Sequence, residues 1–305
     1  MPELPEVETT VAGLNAEVRG KRIVAVWTDY RSSFHATKEN IKNPYYFAKF
    51  KQVIVGAKIL ETKRRGKNIL INLDNGHTIL IHMKMTGHLL IGQYTFNRTT
   101  NTWYPTVAHG PLTDPFNRFV HLVFTLSNTK RLAFSDLRKF ATVYFFKTKN
   151  ASNINDLKRL GPDPLTKEFT FAKMQERLLR RANGKIKQVL MNQEIIAGIG
   201  NIYSDEMLWR ASIHPLSMVK KIPPRALRKL YAAMREVLRK GIDFGGDSDS
   251  DYRNIHGERG NFQSKHNAYR RTSKPCSRRG CTGTIRRIVI GGRSAHFCDQ
   301  HQTHY

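Results

Sequence analysis

The sequence predicts an α+β protein: a strand-rich N-terminal domain, then a helical domain, then a small cysteine-bearing hairpin. Three observations carry this. Apolar residues recur in short β-type runs up to about residue 147, the spacing changes to three and four beyond Phe169, and all three cysteines fall in the last stretch, 273–305.

The elements follow in order. KRIVAVW (21–27), FKQVIVGAKI (50–59), KNILINL (67–73) and HTILIHM (77–83) read as strands of one antiparallel sheet, with turns at Asp74-Asn75-Gly76 and Gly87. A polar and aromatic stretch from Gln93 to Asn117 is less regular, after which FVHLVFTL, RLAFSDL and KFATVYFF restore the pattern. The first domain is therefore set at 1–150 and a linker at 151–165, where Gly161-Pro162-Asp163-Pro164 breaks any regular element. FTFAKMQERLLRRA, KIKQVLMN, YSDEMLWRAS and PRALRKLYAAMREVLRKGI read as helices of a domain spanning 166–272, which includes a polar loop opened by Gly245-Gly246 at about 245–262.

Charge narrows the partner. The 305 residues hold 51 Lys and Arg against 24 Asp and Glu, a net charge of +27, so a polyanion is expected. Binding should weaken steeply with salt as condensed counterions are no longer released. No run approaches the roughly 20 apolar residues of a membrane span, and the acidic start lacks a signal-peptide core, so an intracellular protein without membrane attachment is expected.

The first eight residues, MPELPEVE, are the main catalytic candidate. Loss of Met1 would leave Pro2 as a free secondary amine, and a terminal amine titrates near about 8 against about 10.4 for lysine. Attack on a sugar or carbonyl carbon would give an iminium, with Glu3 or Glu6 placed to move protons. A solvated leader is the alternative for such a terminus.

In the tail, Cys276 and Cys281 are followed by Cys298 and His301, a set of thiolates and imidazole suited to one tetrahedral zinc ion, with His296 or His304 as other fourth ligands. A segment this short has too little apolar surface to fold unaided, so the zinc would be structural. TIRRIVIGGRSAHF between the knuckles reads as a hairpin that turns at Gly291-Gly292 and presents Arg293. AGIGNIYSDE places two glycines before a helix beginning near Asn201, whose free N–H groups favour an anion; a plain helix-to-helix turn is the alternative.

Taken together, MPELPEVE, the RRGK of Arg64–Lys67, HMKMTGHL of His82–Leu89, the GPDPL linker, GIGNIYSDE and the final hairpin resemble, in order along the chain, the formamidopyrimidine-DNA glycosylase family. The resemblance implies an N-terminal antiparallel β-sandwich, a helix-two-turns-helix domain and a zinc-finger β-hairpin acting as a monomer on damaged double-stranded DNA, in the cytoplasm or nucleoid. It implies a bifunctional enzyme of base excision repair, removing 8-oxoguanine and formamidopyrimidines and cleaving the strand by β,δ-elimination. Pro2 would form the Schiff base at C1′, Glu3 would donate protons, Glu6 would support the terminus, and Lys67 would meet a phosphate and assist proton transfer. No redox cofactor is implied. Met85, Arg138 and Phe140 match the family's intercalating trio, which fills the gap left by the flipped nucleotide. Lys187, Asn201, Tyr203 and Arg293 would hold flanking phosphates, Arg293 also serving δ-elimination.

Two departures stand out. The first knuckle is Cys-x4-Cys, and His301 stands where the family usually has cysteine. The loop DSDSDY (247–252), where the family caps its flipped purine, is acidic. Alternatives are an endonuclease VIII-type enzyme for oxidised pyrimidines, against which Leu4 and the long loop argue, and a non-enzymatic zinc-containing DNA-binding protein.

Overall fold

The computed structural model describes residues Met1–Tyr305. Contacts divide them into two units, Met1–Lys158 with Phe244–Asn261, and Arg159–Asp243 with Phe262–Tyr305.

The first unit opens with helix α1 (Leu4–Val18). Pro5 sits in its first turn, where a missing N–H is harmless, and Val7, Val11, Leu14 and Val18 recur at three- and four-residue spacing on the buried side. There follow β1 (Ile23–Thr28), α2 (Pro44–Ile54), β2 (Ile59–Arg65), β3 (Asn68–Leu73), β4 (His77–His82), β5 (His88–Gly92), β6 (Tyr94–Asn97), β7 (Thr102–Pro105), β8 (Val120–Leu126), β9 (Arg131–Ser135), β10 (Thr142–Lys147) and a single turn, α3 (Asn155–Lys158). Two four-stranded antiparallel sheets result, ordered β1-β8-β9-β5 and β10-β4-β3-β2. One core joins them, with Ile23, Leu89, Leu122 and Phe134 from the first and Ile59, Ile69, Ile81 and Val143 from the second.

Three expectations are corrected here. The early strands do not make one sheet: β2, β3 and β4 pair in sequence, but β1 and β5 pair with β8 and β9, because alternate strand faces must close on a common core. The run FKQVIVGAKI is not one strand. Its first half ends α2, whose buried Tyr46, Phe50 and Ile54 repeat every four residues and whose start is capped by the Asn43 side chain accepting from the Tyr45 N–H. The stretch from Gln93 holds the hairpin β6–β7, anchored by Trp103 and Phe96 against Trp27.

The second unit contains α4 (Phe171–Leu179), α5 (Ile186–Met191), α6 (Asn201–Ala211), α7 (Pro224–Asp243) and the hairpin β11 (Ile285–Ile290) to β12 (Arg293–Cys298). Gly291 and Gly292 both take positive φ, +56° and +74°, as a two-residue turn matching strand twist requires.

The loop placed with the helical domain at about 245–262 groups instead, as Phe244–Asn261, with the first unit. Hydrogen bonds explain this: the Tyr252 hydroxyl donates to the Glu6 carbonyl at 3.0 Å, and the Ile91 N–H donates to the Ile255 carbonyl at 2.7 Å. Arg253 closes the loop's far end on Asp114 at 3.0 Å.

Candidate active site

In the first unit the chain start is a built structure. Pro2, Glu3 and Glu6 are buried. Glu3 caps α1 in a reciprocal box, its carboxylate accepting from the Glu6 N–H while its own N–H donates to Glu6 Oε2 at 2.7 Å. Glu6 Oε1 accepts from the Asp247 N–H, also at 2.7 Å. Both oxygens of Glu6 thus hold backbone, one on the terminus and one on the loop. Gly246 is required beside it, since a Cβ there would lie 2.9 Å from Glu6 Cγ at a φ of +85°.

The terminal α-amino group, here that of Met1, is held below its ordinary value, chiefly by burial. Glu3 and Glu6 oppose that shift, and the Lys67 ammonium adds to it. Lys67 is buried at the turn between β2 and β3, so it borders the terminus as well as the start of β3. His82 on β4, opposite Asn68, was not singled out from the sequence. Burial, with Lys84 and Lys67, pushes its imidazole down to about 3, so it is neutral, and its Nδ1 accepts from the Lys84 N–H at 3.0 Å, which leaves the proton on Nε2. The HMKM motif was the available signal.

Met85, Arg138 and Phe140 are brought together by a clamp that the sequence did not reveal. Asp136 is fully buried. Its carboxylate accepts from Thr86 Oγ1 at 2.6 Å, from the Ala141 N–H at 2.9 Å and from the Tyr30 hydroxyl at 3.0 Å. Thr86 Oγ1 in turn accepts from the Arg138 N–H at 3.1 Å. The Met85 loop and the Arg138–Phe140 turn are therefore one rigid object. On it Phe140 is half exposed, with the Arg138 guanidinium 4.5 Å from its ring centre.

In the second unit, two expected phosphate contacts are corrected. Lys187 is fully buried, its ammonium donating to Asp205 Oδ1 at 2.5 Å, Ser204 Oγ at 3.0 Å and the Asn201 carbonyl at 3.1 Å. Its charge is neutralised inside the protein. Tyr203 is fully buried as well, stacked on Phe262 at 4.9 Å. Asn201 does open α6, and its Oδ1 is buried without a partner. Arg293 is exposed at the hairpin turn. Asp205 reaches the hairpin too, its Oδ2 accepting from the His296 N–H at 3.0 Å and facing His296 Nδ1 at 2.9 Å.

Cys276, Cys281, Cys298 and His301 gather with all four ligand atoms within 4.8 Å of one another, so this Cys3His group could hold a metal ion. Cys281 Sγ lies 3.6 Å from Cys298 Sγ, and His301 Nδ1 lies 3.4 Å from Cys276 Sγ. These are separations that tetrahedral ligands share. His301 Nε2 donates to the Trp209 carbonyl at 3.1 Å, which turns Nδ1 toward the thiols. The other candidates are engaged elsewhere, His296 on Asp205 and His304 against the His214 ring at 4.9 Å.

Comparison with known proteins decides the family. Residues 1–143 match the family model of the formamidopyrimidine-DNA glycosylase N-terminal domain, and residues 160–253 match that of the H2TH domain of the same enzymes. The chain belongs to the formamidopyrimidine-DNA glycosylase family. Relatives in it include the formamidopyrimidine-DNA glycosylase of Pelotomaculum thermopropionicum, 36% identical over 98% of each chain, and that of Bacillus subtilis, 34% identical over 99% of each. Similar solved structures include the Lactococcus lactis Fpg in complex with an abasic site containing DNA (TM-score 0.81, 29% identity, 99% of each chain). The MutM (Fpg) protein of Thermus thermophilus is another (TM-score 0.78, 31% identity, 100% of each chain). Family membership makes this chain a DNA N-glycosylase of DNA repair, and its Cys3His cluster fits the family's zinc finger. No helix in it is long and apolar enough to cross a membrane.

Proposed function

We propose that this glycosylase is bifunctional, excising oxidised purines and then cleaving the abasic strand, with Pro2 as nucleophile once Met1 has been removed. One observation carries the reading: Pro2 is buried beside the buried Glu3, Glu6 and Lys67, where the terminal amine's proton affinity is lowered, chiefly by desolvation. A neutral secondary amine attacks C1′ as the bond to the damaged base breaks and the base departs with its electron pair; Glu3 takes the proton from the attacking nitrogen and passes it to the ring oxygen, which opens the sugar to an iminium. Loss of a C2′ proton expels the 3′ phosphate, and a second elimination expels the 5′ phosphate. Lys67, whose charge acts on the terminal amine, meets a phosphate beside this centre. Glu6, with both oxygens on backbone N–H groups, holds Glu3 in place.

The turn bearing Arg138 and Phe140, with Met85, is the wedge that replaces the flipped nucleotide. In the second unit the flanking phosphates fall to Arg293 and to Asn201, whose amide, turned over, would offer a donor where Oδ1 now lies unpartnered. Cys276, Cys281, Cys298 and His301 would hold a zinc ion, whose role there would be to tie the hairpin strands to the Cys276–Cys281 segment. Support for DNA as substrate comes from the +27 charge and from relatives solved with abasic-site and Fapy-dG DNA.

Borohydride trapping on abasic-site duplex tests the nucleophile. Protein shown by mass to lack Met1 crosslinks, whereas Pro2→Gly or protein retaining Met1 loses most of the adduct; no adduct with processed wild type would sink the lyase reading. Excision of 8-oxoguanine opposite cytosine, compared with thymine glycol, tests the lesion class, and a preference for thymine glycol would favour the endonuclease VIII-type reading.

A further inference from the structure

The segment from Arg31 to Tyr45, between β1 and the first turn of α2, has no part in the chemistry above, yet it is built to contact something. Phe34 is 74% exposed and Tyr45 is 87% exposed, unusual for aromatic rings in a segment held by hydrogen bonds. The Lys38 ammonium sits 3.5 Å above the Phe34 ring. This repeats the pairing of Arg138 with Phe140, an exposed ring with a cation over its face.

The segment is hydrogen-bonded to the turn that carries the second pair. Lys42 is buried, and its ammonium donates to the Lys139 carbonyl at 2.6 Å, in the turn between Arg138 and Phe140. The Ile41 N–H donates to the Val143 carbonyl at 3.1 Å, and the Ser32 N–H donates to the Lys42 carbonyl at 3.1 Å. Lys139 is in turn tied to Asp29 at 3.2 Å. Charge identifies the occupant: from residue 31 to 45 there are three Lys and Arg (Arg31, Lys38 and Lys42) against one carboxylate, Glu39. Rings and cations together suit bases or sugars and phosphates.

We propose that Phe34, Lys38 and Tyr45 form a second DNA-contacting element, which grips the duplex flanking the lesion next to the wedge turn. This rests on the reading that Met85, Arg138 and Phe140 enter the DNA. Lys38 takes a phosphate, and the rings pack on sugar or base faces near it.

The test measures Kd and its salt dependence with processed full-length protein on duplexes carrying an abasic-site analogue. One duplex is long, and two others are trimmed on either side of the lesion. Phe34→Ala with Lys38→Ala should weaken binding to the long duplex about tenfold, lower the salt slope by about one and match wild type on one of the trimmed duplexes. Borohydride adduct at saturating DNA should be unchanged, and Phe34→Tyr should bind like wild type. Unchanged affinity on the long duplex would overturn the proposal and leave the patch to a protein partner. An equal loss on all three duplexes, or from Lys49→Ala with Lys51→Ala on α2, would overturn it in favour of diffuse charge. Should wild type show no preference for the duplex carrying the abasic-site analogue, the wedge reading itself would fail, a different outcome from either.

Discussion

Each unit contains a buried carboxylate that ties distant segments together, Glu6 in the first and Asp205 in the second, and the two are built on different principles. Both use their two oxygens to join segments far apart in sequence: Glu6 links α1 to the loop at Asp247, and Asp205 links α5 to β12. The donors differ. Glu6 accepts from two neutral backbone N–H groups, and its negative charge favours protonation of the neighbouring terminal amine. Asp205 meets the Lys187 ammonium at 2.5 Å and forms an ion pair closed to solvent. A carboxylate held by neutral donors can still act on the protonation of a neighbouring amine; one that fixes a hairpin gains from pairing with a cation.

The largest expected effect follows from the second arrangement. Asp205→Ala leaves the Lys187 ammonium buried and unpaired, with His296 also released, and should destabilise the second unit by about 3–5 kcal/mol. Denaturant unfolding measures this. Adding Lys187→Met removes the stranded charge and should recover most of the loss. Without that recovery, Asp205 would act through His296 or through solvation of the Ser204 region, and the ion pair would not be the organising element.

Glu6→Gln is a smaller perturbation of the first unit. The amide keeps one acceptor but turns a donor toward one of the two backbone N–H groups, so one charge-assisted hydrogen bond is lost at about 1.5–3 kcal/mol. The consequence should be local. Proteolysis should accelerate within Phe244–Asn261, and borohydride adduct formation should slow, while unfolding of the second unit is unchanged. Gly246→Ala should reproduce the effect by steric means, since its Cβ would meet Glu6 Cγ at 2.9 Å. If Glu6→Gln slows trapping while the loop keeps its protection, Glu6 moves protons as well as holding backbone.

What could be read from sequence followed the range of the interactions involved. Pro2, Glu3 and Glu6 lie within one helical turn, and the capping box between Glu3 and Glu6 is a local pattern; the zinc hairpin likewise declares itself through ligand spacing and Gly291-Gly292. The family's fold was legible for the same reason, through motifs in order. Lys187 and Tyr203 were misjudged because a lysine or tyrosine near a phosphate-binding turn looks the same whether it faces solvent or a buried carboxylate. Asp205 carried no signal of its own. The Asp136 clamp joins residues 50 apart, and the α2 helix hid behind β-branched residues that suit a strand equally well. The allegiance of Phe244–Asn261 to the first unit depends on contacts such as Asp247 with Glu6, which no periodicity encodes.

The smallest and most specific effect concerns how the neighbouring charges act together on the terminal amine. Burial and Lys67 lower its proton affinity, and Glu3 and Glu6 raise it. With Met1 removed, the same neighbours act on Pro2. On the proposed chemistry the amine reacts when neutral, so the trapping rate should rise with pH through its pKa and level off above it. Lys67→Met removes a cation that disfavours the protonated amine, so that pKa moves up and the acid limb moves to higher pH. Loss of the phosphate contact would lower the rate at every pH; loss of the charge lowers it further only on the acid side. Single-turnover trapping rates across pH, at saturating DNA, separate the two. A Lys67→Met profile parallel to wild type would confine Lys67 to phosphate binding, and a shift to lower pH would reverse the sign assigned here to its field at the amine.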